Sequence, residues 1–470
     1  MRDSLRLAWG LSLILAGCSD ETVAPPVDPG GCAYQVAGTC VGASTQALCS
    51  EAACVAGVEC AQVLSVANDA ELANAVSSAQ PGDCIALAPG QYAAVTVPAS
   101  VSLLGKGVAE VGVAGVVLSG GSGAVVRGMT IGGNGLRLEA TSGAYIDTVS
   151  IVDSALDGIE AAQGASFSAV AVDVRGSSRY GISAFDSGAI TLDKVAVSGS
   201  KGPGLWAQCQ SGCDCAAKPT ITVTTTLITD NKVVGVSLAG VIGVLGTVDI
   251  TEHTELGFQP TGGMAVHGCA EVTFKSSRVL DNSSYGLLVD HALATVGGPS
   301  PAEGVEISRN QYGAWVQQLE LDGSQPVGFD NCVLEANQAV GLGLSGESKG
   351  IMFWNSAVIG TLAKIVPAYE DDVAKQAEIG DAISWSDLSG ADLKNVTLSG
   401  NARAAVLIDG EVAPGSSITG LVLSGGDEQK GVVQQNLPAG GLTPMVDASV
   451  VLQQASGSLA IAESPLPPQF

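Results

Sequence analysis

The feature that most constrains this chain is a unit that returns every 23 residues. Four successive units begin at Gly135, Gly158, Gly181 and Gly204, and in each the glycine is followed by an apolar residue, a residue of exposed type and a second apolar residue. Such alternation is typical of a strand, and the glycine permits a sharp turn before it. A fixed period of this length predicts a solenoid, in which each coil stacks on the previous one.

The same corner recurs towards the C-terminus with less regular spacing. The later corners are Gly235, Gly263, Gly286, Gly313, Gly341, Ala382, Ala405 and Gly431. Longer gaps predict insertions, at residues 209–219, 239–247, 292–304, 318–327 and 361–380. Within each strand the first and third residues should point inward and the second and fourth outward. Polar residues four places before several corners predict a stacked asparagine ladder: Ser177, Ser200, Asn231, Asn282, Asn337 and Asn401.

Composition agrees with a narrow β core. Aromatic residues make up 4% and charged residues 14%, and there are 62 glycines, which argues against a helical bundle. The net charge is −26 with only 20 Lys+Arg, so the chain lacks the basic surface that nucleic acid requires. We therefore expect no nucleic-acid partner.

The N-terminus has the character of an export signal. Arg2 and Arg6 precede a short apolar run, and Leu15-Ala16-Gly17-Cys18 follows it. This run resembles the lipobox of bacterial lipoproteins. The resemblance implies a signal peptide over residues 1–17, lipidation of Cys18 and a tether over residues 18–31. It also implies attachment to a membrane, at the bacterial outer membrane or cell surface. The alternative is an ordinary signal peptide followed by an unrelated cysteine.

Cysteine usage fits an exported protein, because an oxidising compartment favours disulfides. Residues 32–66 form a disulfide-rich segment, and the connectivity within it stays open. A second cluster in the 209–219 insertion needs a fourth partner, for which we choose Cys269; Cys332 is then a free thiol in the core. Zinc is the alternative for that cluster, but no histidine lies nearby in sequence. The disulfide candidates are Cys32, Cys40, Cys49, Cys54, Cys60, Cys84, Cys209, Cys213, Cys215 and Cys269.

Residues 68–92 carry a resemblance to a known family. Asn68 and Glu71 form a capping box before an apolar helical stripe, and Pro81-Gly82-Asp83, an alternating strand and Pro89-Gly90-Gln91-Tyr92 follow. This order resembles the start of proteins of the pectate-lyase-like superfamily. The resemblance implies an all-β fold, a right-handed parallel β-helix solenoid with an N-terminal helix cap. The β-helix is expected over residues 67–450, with a C-terminal tail over 451–470.

Two tryptophans fall on the outward side of the repeated strand. Trp206 and Trp315 occupy the second position, and Gln317 follows in the fourth. Exposed aromatic rings beside polar groups suit sugar rings, so these residues are the candidates for binding polysaccharide. The alternative is that a neighbouring insertion covers each tryptophan.

Candidate catalytic residues lie on the same outward side. His267 and Asp290 share a column on adjacent coils, and a carboxylate that orients an imidazole can form a general base. Tyr285, Asp290 and His291 also resemble the Tyr-Gly-apolar-Asp-Pro-His run of alginate epimerases, although two extra residues intervene and the proline is absent. The alternative is a surface His–Asp pair without function. We expect no metal and no cofactor, except Ca²⁺ if the chain is a lyase.

Three functions remain in order of preference. The first is a surface-anchored lipoprotein whose β-helix binds polysaccharide or another cell-surface ligand without catalysis. The second is a polysaccharide lyase or C5-epimerase that acts on uronate-containing glycans. The third is a structural stalk or adhesin.

Overall fold

Parallel hydrogen-bond ladders join the coils in the register that the repeat predicts. Leu136 lies opposite Ile159, Ile159 opposite Ile182, and Ile182 opposite Leu205. The fold is therefore a right-handed parallel β-helix, as expected. The computed structural model describes residues 34–43, 57–215, 217–254, 261–317, 327–368, 375–386, 388–425 and 430–454.

Each coil has three straight segments because its longest strand bends. In the strand Ala144–Val152, residues 144–147 pair with 167–170 and residues 149–152 pair with 172–175. Thr148 lies between them with a left-handed φ of 51°, which turns the chain through a corner. We call the sheet that carries Leu136 and Ile159 the long sheet. The segments before and after the bend form the second face and the third face.

The long sheet has 15 strands. They are Val95–Val97, Val116–Ser119, Leu136–Glu139, Ile159–Ala162, Ile182–Phe185, Leu205–Gln208, Val234–Ala239, Gly262–His267, Tyr285–Asp290, Tyr312–Gln317, Val340–Ser345, Asp381–Ser386, Ala404–Asp409, Lys430–Gln435 and Leu452–Gln454.

Bent strands shared by the other two faces are Val125–Ile131, Ala144–Val152, Phe167–Arg175, Thr220–Thr229 and Ile242–Thr251. The second face adds Val63–Val66, Cys84–Leu87, Ser102–Leu104, Ile190–Asp193, Glu271–Lys275, Leu293–Gly297, Gly328–Asp330, Ile351–Trp354, Ala391–Lys394, Ser417–Thr419 and Met445–Val446. The third face adds Gly90–Tyr92, Val111–Val113, Ala196–Ser198, Ser277–Leu280, Val305–Ser308, Val333–Glu335, Ala357–Ile359, Thr397–Ser399 and Val422–Ser424.

The α-helix Asp69–Ser78 begins at the predicted capping box. The Asn68 side chain accepts a hydrogen bond from the Glu71 backbone N–H, and the Glu71 carboxylate accepts one from the Ala67 N–H. Leu72 on the inner side of the helix is buried in the main core. The role of this helix as the cap of the solenoid stays a prediction. None of the helices in the described ranges has the length and apolar character needed to cross a bilayer.

The predicted asparagine ladder is present inside one corner of the solenoid. The backbone N–H of His253 donates to Asn282 Oδ1 at 3.2 Å, that of Asn282 to Asn310 Oδ1 at 3.0 Å, and that of Asn310 to Asn337 Oδ1 at 3.0 Å. All four side chains are buried. His253 thus takes an asparagine's place, and its Nδ1 lies 3.1 Å from the Asn231 nitrogen. Each amide satisfies a backbone group that the turn leaves without a strand partner.

Disulfides join segments of the chain that are distant in sequence or lie within an insertion. Cys60 pairs with Cys84, and Cys213 pairs with the predicted partner Cys269. Cys209 pairs with Cys215, so these cysteines are not available to zinc. Cys40 is also disulfide-bonded, and Cys332 is free and buried as expected. Cys32, Cys49 and Cys54 lie outside the described residues, as do residues 1–17, residues 18–31 and most of the tail 451–470.

Inserted segments interrupt several coils, and the structure corrects some of the positions predicted for them. The predicted 209–219 insertion contains the 3₁₀ turn Gly212–Asp214. The predicted 292–304 insertion begins too early, because Leu293–Gly297 is a regular strand of the second face, and the 3₁₀ turn Pro301–Glu303 lies in the remainder. The predicted 318–327 insertion lies, except for residue 327, outside the described residues. The predicted insertion at 239–247 is wrong, because Ile242–Thr251 is a regular strand paired with Thr220–Thr229. The additional residues of that coil follow this strand, in a part of the chain that includes the undescribed residues 255–260.

Two antiparallel hairpins pack on the outside of the solenoid. The hairpin Tyr34–Val36 with Thr39–Val41 buries Val36 and Val41 against Ala196. The hairpin Lys364–Ala368 with Lys375–Ile379 arises from the predicted 361–380 insertion and covers part of the long sheet.

Replacing Asn310 with alanine should destabilise the solenoid by about 1–3 kcal/mol, because the Asn282 N–H and two backbone carbonyls lose buried partners. Urea unfolding followed by circular dichroism measures the change. The control is Asn134→Ala, at an exposed position. Equal urea midpoints for the two variants would contradict a stabilising role for the ladder.

Candidate functional site

An aromatic cluster lies on the open part of the long sheet. We define it as Tyr180, Phe185 and Trp206. Trp206 points outward because its neighbours Leu205 and Ala207 point into the core, and it is half-buried. Its ring centroid is 5.6 Å from that of Tyr180, which is 5.9 Å from that of Phe185. The rings therefore form one continuous apolar surface across two coils.

Polar groups fix the edge of this surface. The Trp206 indole N–H donates to Gln208 Oε1 at 3.1 Å, so both side chains are held in one orientation. A cleft of about 580 Å³ opens beside the cluster. Its lining residues are Ser178, Arg179, Tyr180, Phe185, Lys201, Gly202, Pro203, Gln210 and Val233.

One wall of the cleft comes from the insertion that follows Gln208. The Gln210 backbone N–H donates to Asp186 Oδ1 at 2.8 Å, which joins the start of the insertion to the preceding coil. The Cys213–Cys269 disulfide joins the rest of it to a later coil. The 209–219 insertion predicted from spacing thus forms part of the candidate site.

A buried carboxylate orients the arginine of the cleft. Asp157 is 2% exposed and accepts hydrogen bonds from Arg179 Nε and Nη2, both at 2.8 Å, and from Ser183 Oγ at 2.6 Å. The guanidinium carbon lies 5.5 Å from the Tyr180 ring centroid. The hydrogen bond to Asp157 raises the pKa of Arg179 above its ordinary value, so this side chain keeps its charge. The cleft therefore carries a fixed cation.

Trp315 is not an exposed sugar platform, and the prediction that it is one is wrong. Its side chain is 1% exposed, because Val366, Ala377 and Ile379 of the second hairpin lie in the same buried cluster. The indole N–H donates to Ser345 Oγ at 2.9 Å. Gln317 is only 8% exposed and is therefore not placed to contact a ligand either.

The predicted catalytic residues are neighbours, but they do not form one reactive group. His267 lies opposite Asp290 in the parallel ladder, as the columns predict. However, His267 Nε2 lies 3.0 Å from Ser237 Oγ, while Asp290 Oδ1 lies 2.9 Å from Nδ1 of His291. Tyr285 is 1% exposed, and burial raises its pKa, so the prediction that it acts on a substrate is wrong.

Within the described ranges no three His, Cys, Asp or Glu side chains lie together as ligands for a metal ion. The acidic run Glu370-Asp371-Asp372 lies outside those ranges.

Arg179, Tyr180 and Lys201 are the site residues that sequence reasoning missed. All three precede a corner glycine, at positions where the repeat predicts a turn. A signal was present, since Tyr180 stands directly before Gly181 and one coil before Trp206. The approach of a turn to the sheet, however, depends on three-dimensional packing.

Comparisons with known proteins agree on the fold. The family model described as "Right handed beta helix region" matches residues 114–292 and 158–360. Among solved structures, the catalytic unit of a GH87 alpha-1,3-glucanase from Streptomyces thermodiastaticus is 13% identical, with 86% of this chain and 72% of that chain covered and a TM-score of 0.46. The AlgE6 A-module, a mannuronan C-5 epimerase from Azotobacter vinelandii, is 12% identical, with coverages of 82% and 93% and a TM-score of 0.34.

The pectate lyase Pel9A is 12% identical, with 86% of this chain and 80% of that chain covered and a TM-score of 0.23. No curated protein matches the sequence. The family model and the strand pairing show the fold, and the likeness to these solved structures says nothing about the activity of this chain.

Burial lowers the pKa of both His253 and His267 to about 4, so each imidazole should be neutral at pH 6. Proton NMR titration should show two imidazole signals that titrate near pH 4, one of which disappears in His267→Asn. Because the ordinary pKa is about 6.5, the unfolded chain takes up protons first. Stability should therefore be lost as the pH falls from about 6.5 to 4. A His267 signal that titrates near pH 6.5 would contradict this environment.

Proposed function

We propose that this chain, which belongs to the right-handed β-helix family, binds polysaccharide through its aromatic cluster and does not catalyse a reaction on it. The observation that carries the proposal is the pair of partly exposed rings of Trp206 and Tyr180, whose centroids lie 5.6 Å apart and of which Tyr180 lines the cleft. Sugar rings offer an apolar face and a polar rim, and this surface offers an apolar plane with fixed hydrogen-bonding groups at its edge.

Position in the fold also supports binding. Phe185 and Trp206 lie on strands whose inward residues are buried, and Tyr180 lies in the turn before the first of these strands, so the backbone of the cluster is fixed before a ligand arrives. A preorganised surface loses little conformational entropy on association, which increases affinity. Coils about 4.8 Å apart also give a linear surface along which a chain of sugars can extend.

Geometry favours binding over a lyase or epimerase reaction. A general base must reach the proton that it removes, and it works best with a pKa near the working pH. His267 is largely buried, lies against Ser237 and has a pKa lowered to about 4 by burial. Tyr285 is buried as well, which leaves the exposed His291 with Asp290 as a pair on the surface.

Replacing Trp206 with alanine should weaken polysaccharide binding at least about tenfold, the effect of losing about 1.4 kcal/mol of contact energy. The full exported chain is screened first against a broad glycan array, and the best ligand is then measured by isothermal titration calorimetry. The matched control is Trp354→Ala, which removes a half-buried tryptophan from the second face.

An array without any bound glycan would overturn the proposal, as would equal affinities for the two variants. The same incubations, monitored for unsaturated-uronate absorbance and for C5 inversion, test the alternative. Turnover that is lost in His291→Ala would favour an enzyme.

We also propose that the chain is a lipoprotein anchored through Cys18 at the bacterial outer membrane or cell surface. The supporting observations are the Leu15-Ala16-Gly17-Cys18 run and the extensive disulfide bonding, which is typical of exported proteins. In cells fed an alkyne analogue of palmitate, the wild type and Ser19→Ala should be labelled and sediment with membranes. Cys18→Ala should lose both properties, and labelling of Cys18→Ala would contradict the anchor.

A further inference from the structure

The cleft beside the aromatic cluster differs in charge from the rest of the protein. The chain has 46 Asp+Glu and 20 Lys+Arg. Among the nine lining residues of the cleft, two are basic, Arg179 and Lys201, and none is acidic. In a protein of net charge −26 this lining is unusually basic, although the exposed carboxylate of Asp186 lies at its edge, where it accepts from the Gln210 N–H.

The two cations have different roles. Arg179 and Asp157 form an ion pair whose charges sum to zero, so the unpaired positive charge of the lining comes from Lys201. Asp157 occupies Nε and Nη2 of Arg179 and so fixes the plane of the guanidinium, which is 51% exposed. Its remaining N–H groups face solvent in a set direction and can donate to an anion.

Lys201 is exposed and forms no ion pair within the part of the chain that the structure describes. Its backbone is fixed, because its N–H donates to the Ser177 carbonyl at 2.9 Å. An exposed lysine without an acidic partner can pair with an anionic group of a ligand.

An Arg–Asp ion pair at a corner does not by itself indicate a binding site, because it occurs at two corners of this solenoid. Arg403 and Asp381 are 22 residues apart, as are Arg179 and Asp157, and both aspartates lie directly before a corner. The Arg403 side chain is only 17% exposed, whereas the Arg179 side chain is 51% exposed, lies beside the Tyr180 ring and lines the cleft. Of these two Arg–Asp pairs, only Arg179–Asp157 therefore presents its arginine to a cleft that could hold a ligand.

We infer that the cleft selects glycans that carry a negative charge, as a carboxylate or a sulfate ester, over neutral glycans. A sugar ring stacks on Trp206 and Tyr180, and its anionic group lies between Lys201 and Arg179. The inference rests on the proposed polysaccharide binding and names the class of sugar. Asp157 and Ser183 act as positioning residues for the guanidinium.

Matched polymers test the inference with the full chain. The probes are polygalacturonate and its carboxyl-reduced form, and cellulose sulfate with soluble unsulfated cello-oligosaccharides. We expect at least about tenfold tighter binding of one or both charged members at 50 mM NaCl, and a loss of that preference at 500 mM NaCl, where the Debye length is much shorter. The pair that shows the preference identifies a carboxylate or a sulfate as the recognised group.

Variants assign the preference to the cleft. Lys201→Gln should weaken binding of the charged polymer about tenfold and leave the neutral polymer unchanged, whereas Lys349→Gln, at another exposed lysine, should change neither. Arg179→Gln should also reduce the preference, and Arg403→Gln controls for the loss of a corner ion pair, since both remove the partner of a buried aspartate.

The outcomes separate this inference from the function on which it rests. Equal binding of charged and neutral polymers, with Trp206→Ala still defective, overturns charge selection and leaves polysaccharide binding intact. A charge preference that survives in both Lys201→Gln and Arg179→Gln also overturns the assignment to this cleft. Binding of no polymer at all overturns both proposals.

Discussion

The parallel hydrogen-bond ladder between coils is the interaction on which the rest of this structure depends. It places each paired strand residue directly above its counterpart one coil earlier, as Leu205 lies above Ile182. Position in the coil therefore decides whether a side chain meets the core, a corner or solvent. The ladder also makes polar residues inside corners stack on one another, which explains how the asparagine side chains are buried with hydrogen-bond partners. His253 fits this stack only in part, since its Nδ1 lies near Asn231 but its buried Nε2 has no hydrogen-bond partner among the described residues.

This constraint explains why so much of the fold follows from sequence. The corners at Gly204 and Ala382 follow from the repeated pattern of apolar and exposed residues, and the strands at both of them lie in the long sheet. The participation of Cys269 was also predicted from sequence, because three cysteines in one insertion need a partner from elsewhere. That it pairs with Cys213 is seen only in the structure. These features depend on local pattern and on periodicity, and a single sequence contains both.

The candidate site follows from sequence only in part, and the two outward tryptophans show why. Trp206 and Trp315 occupy the same column, yet one is half-exposed and the other is buried. The difference comes from the hairpin Lys364–Ile379, which begins 49 residues after Trp315 and folds back over it. Likewise, Lys201 and Arg179 enter the cleft from turns. Packing of loops across the sheet depends on contacts between distant residues, and periodicity carries no information about it.

The covering hairpin has a consequence for how this architecture acquires specificity. It leaves the stacked core unbroken, since the strands Val340–Ser345 and Asp381–Ser386 pair directly across its root. Beneath it, Tyr312 and Trp315 form an edge-to-face pair 5.4 Å apart, close in kind to the aromatic cluster that is open to solvent. A shorter hairpin would expose this second pair of aromatic rings without changing any residue in the strands of the solenoid. In such a solenoid, the length of a loop can determine the extent of the recognition surface, while the repeat that builds the fold stays the same.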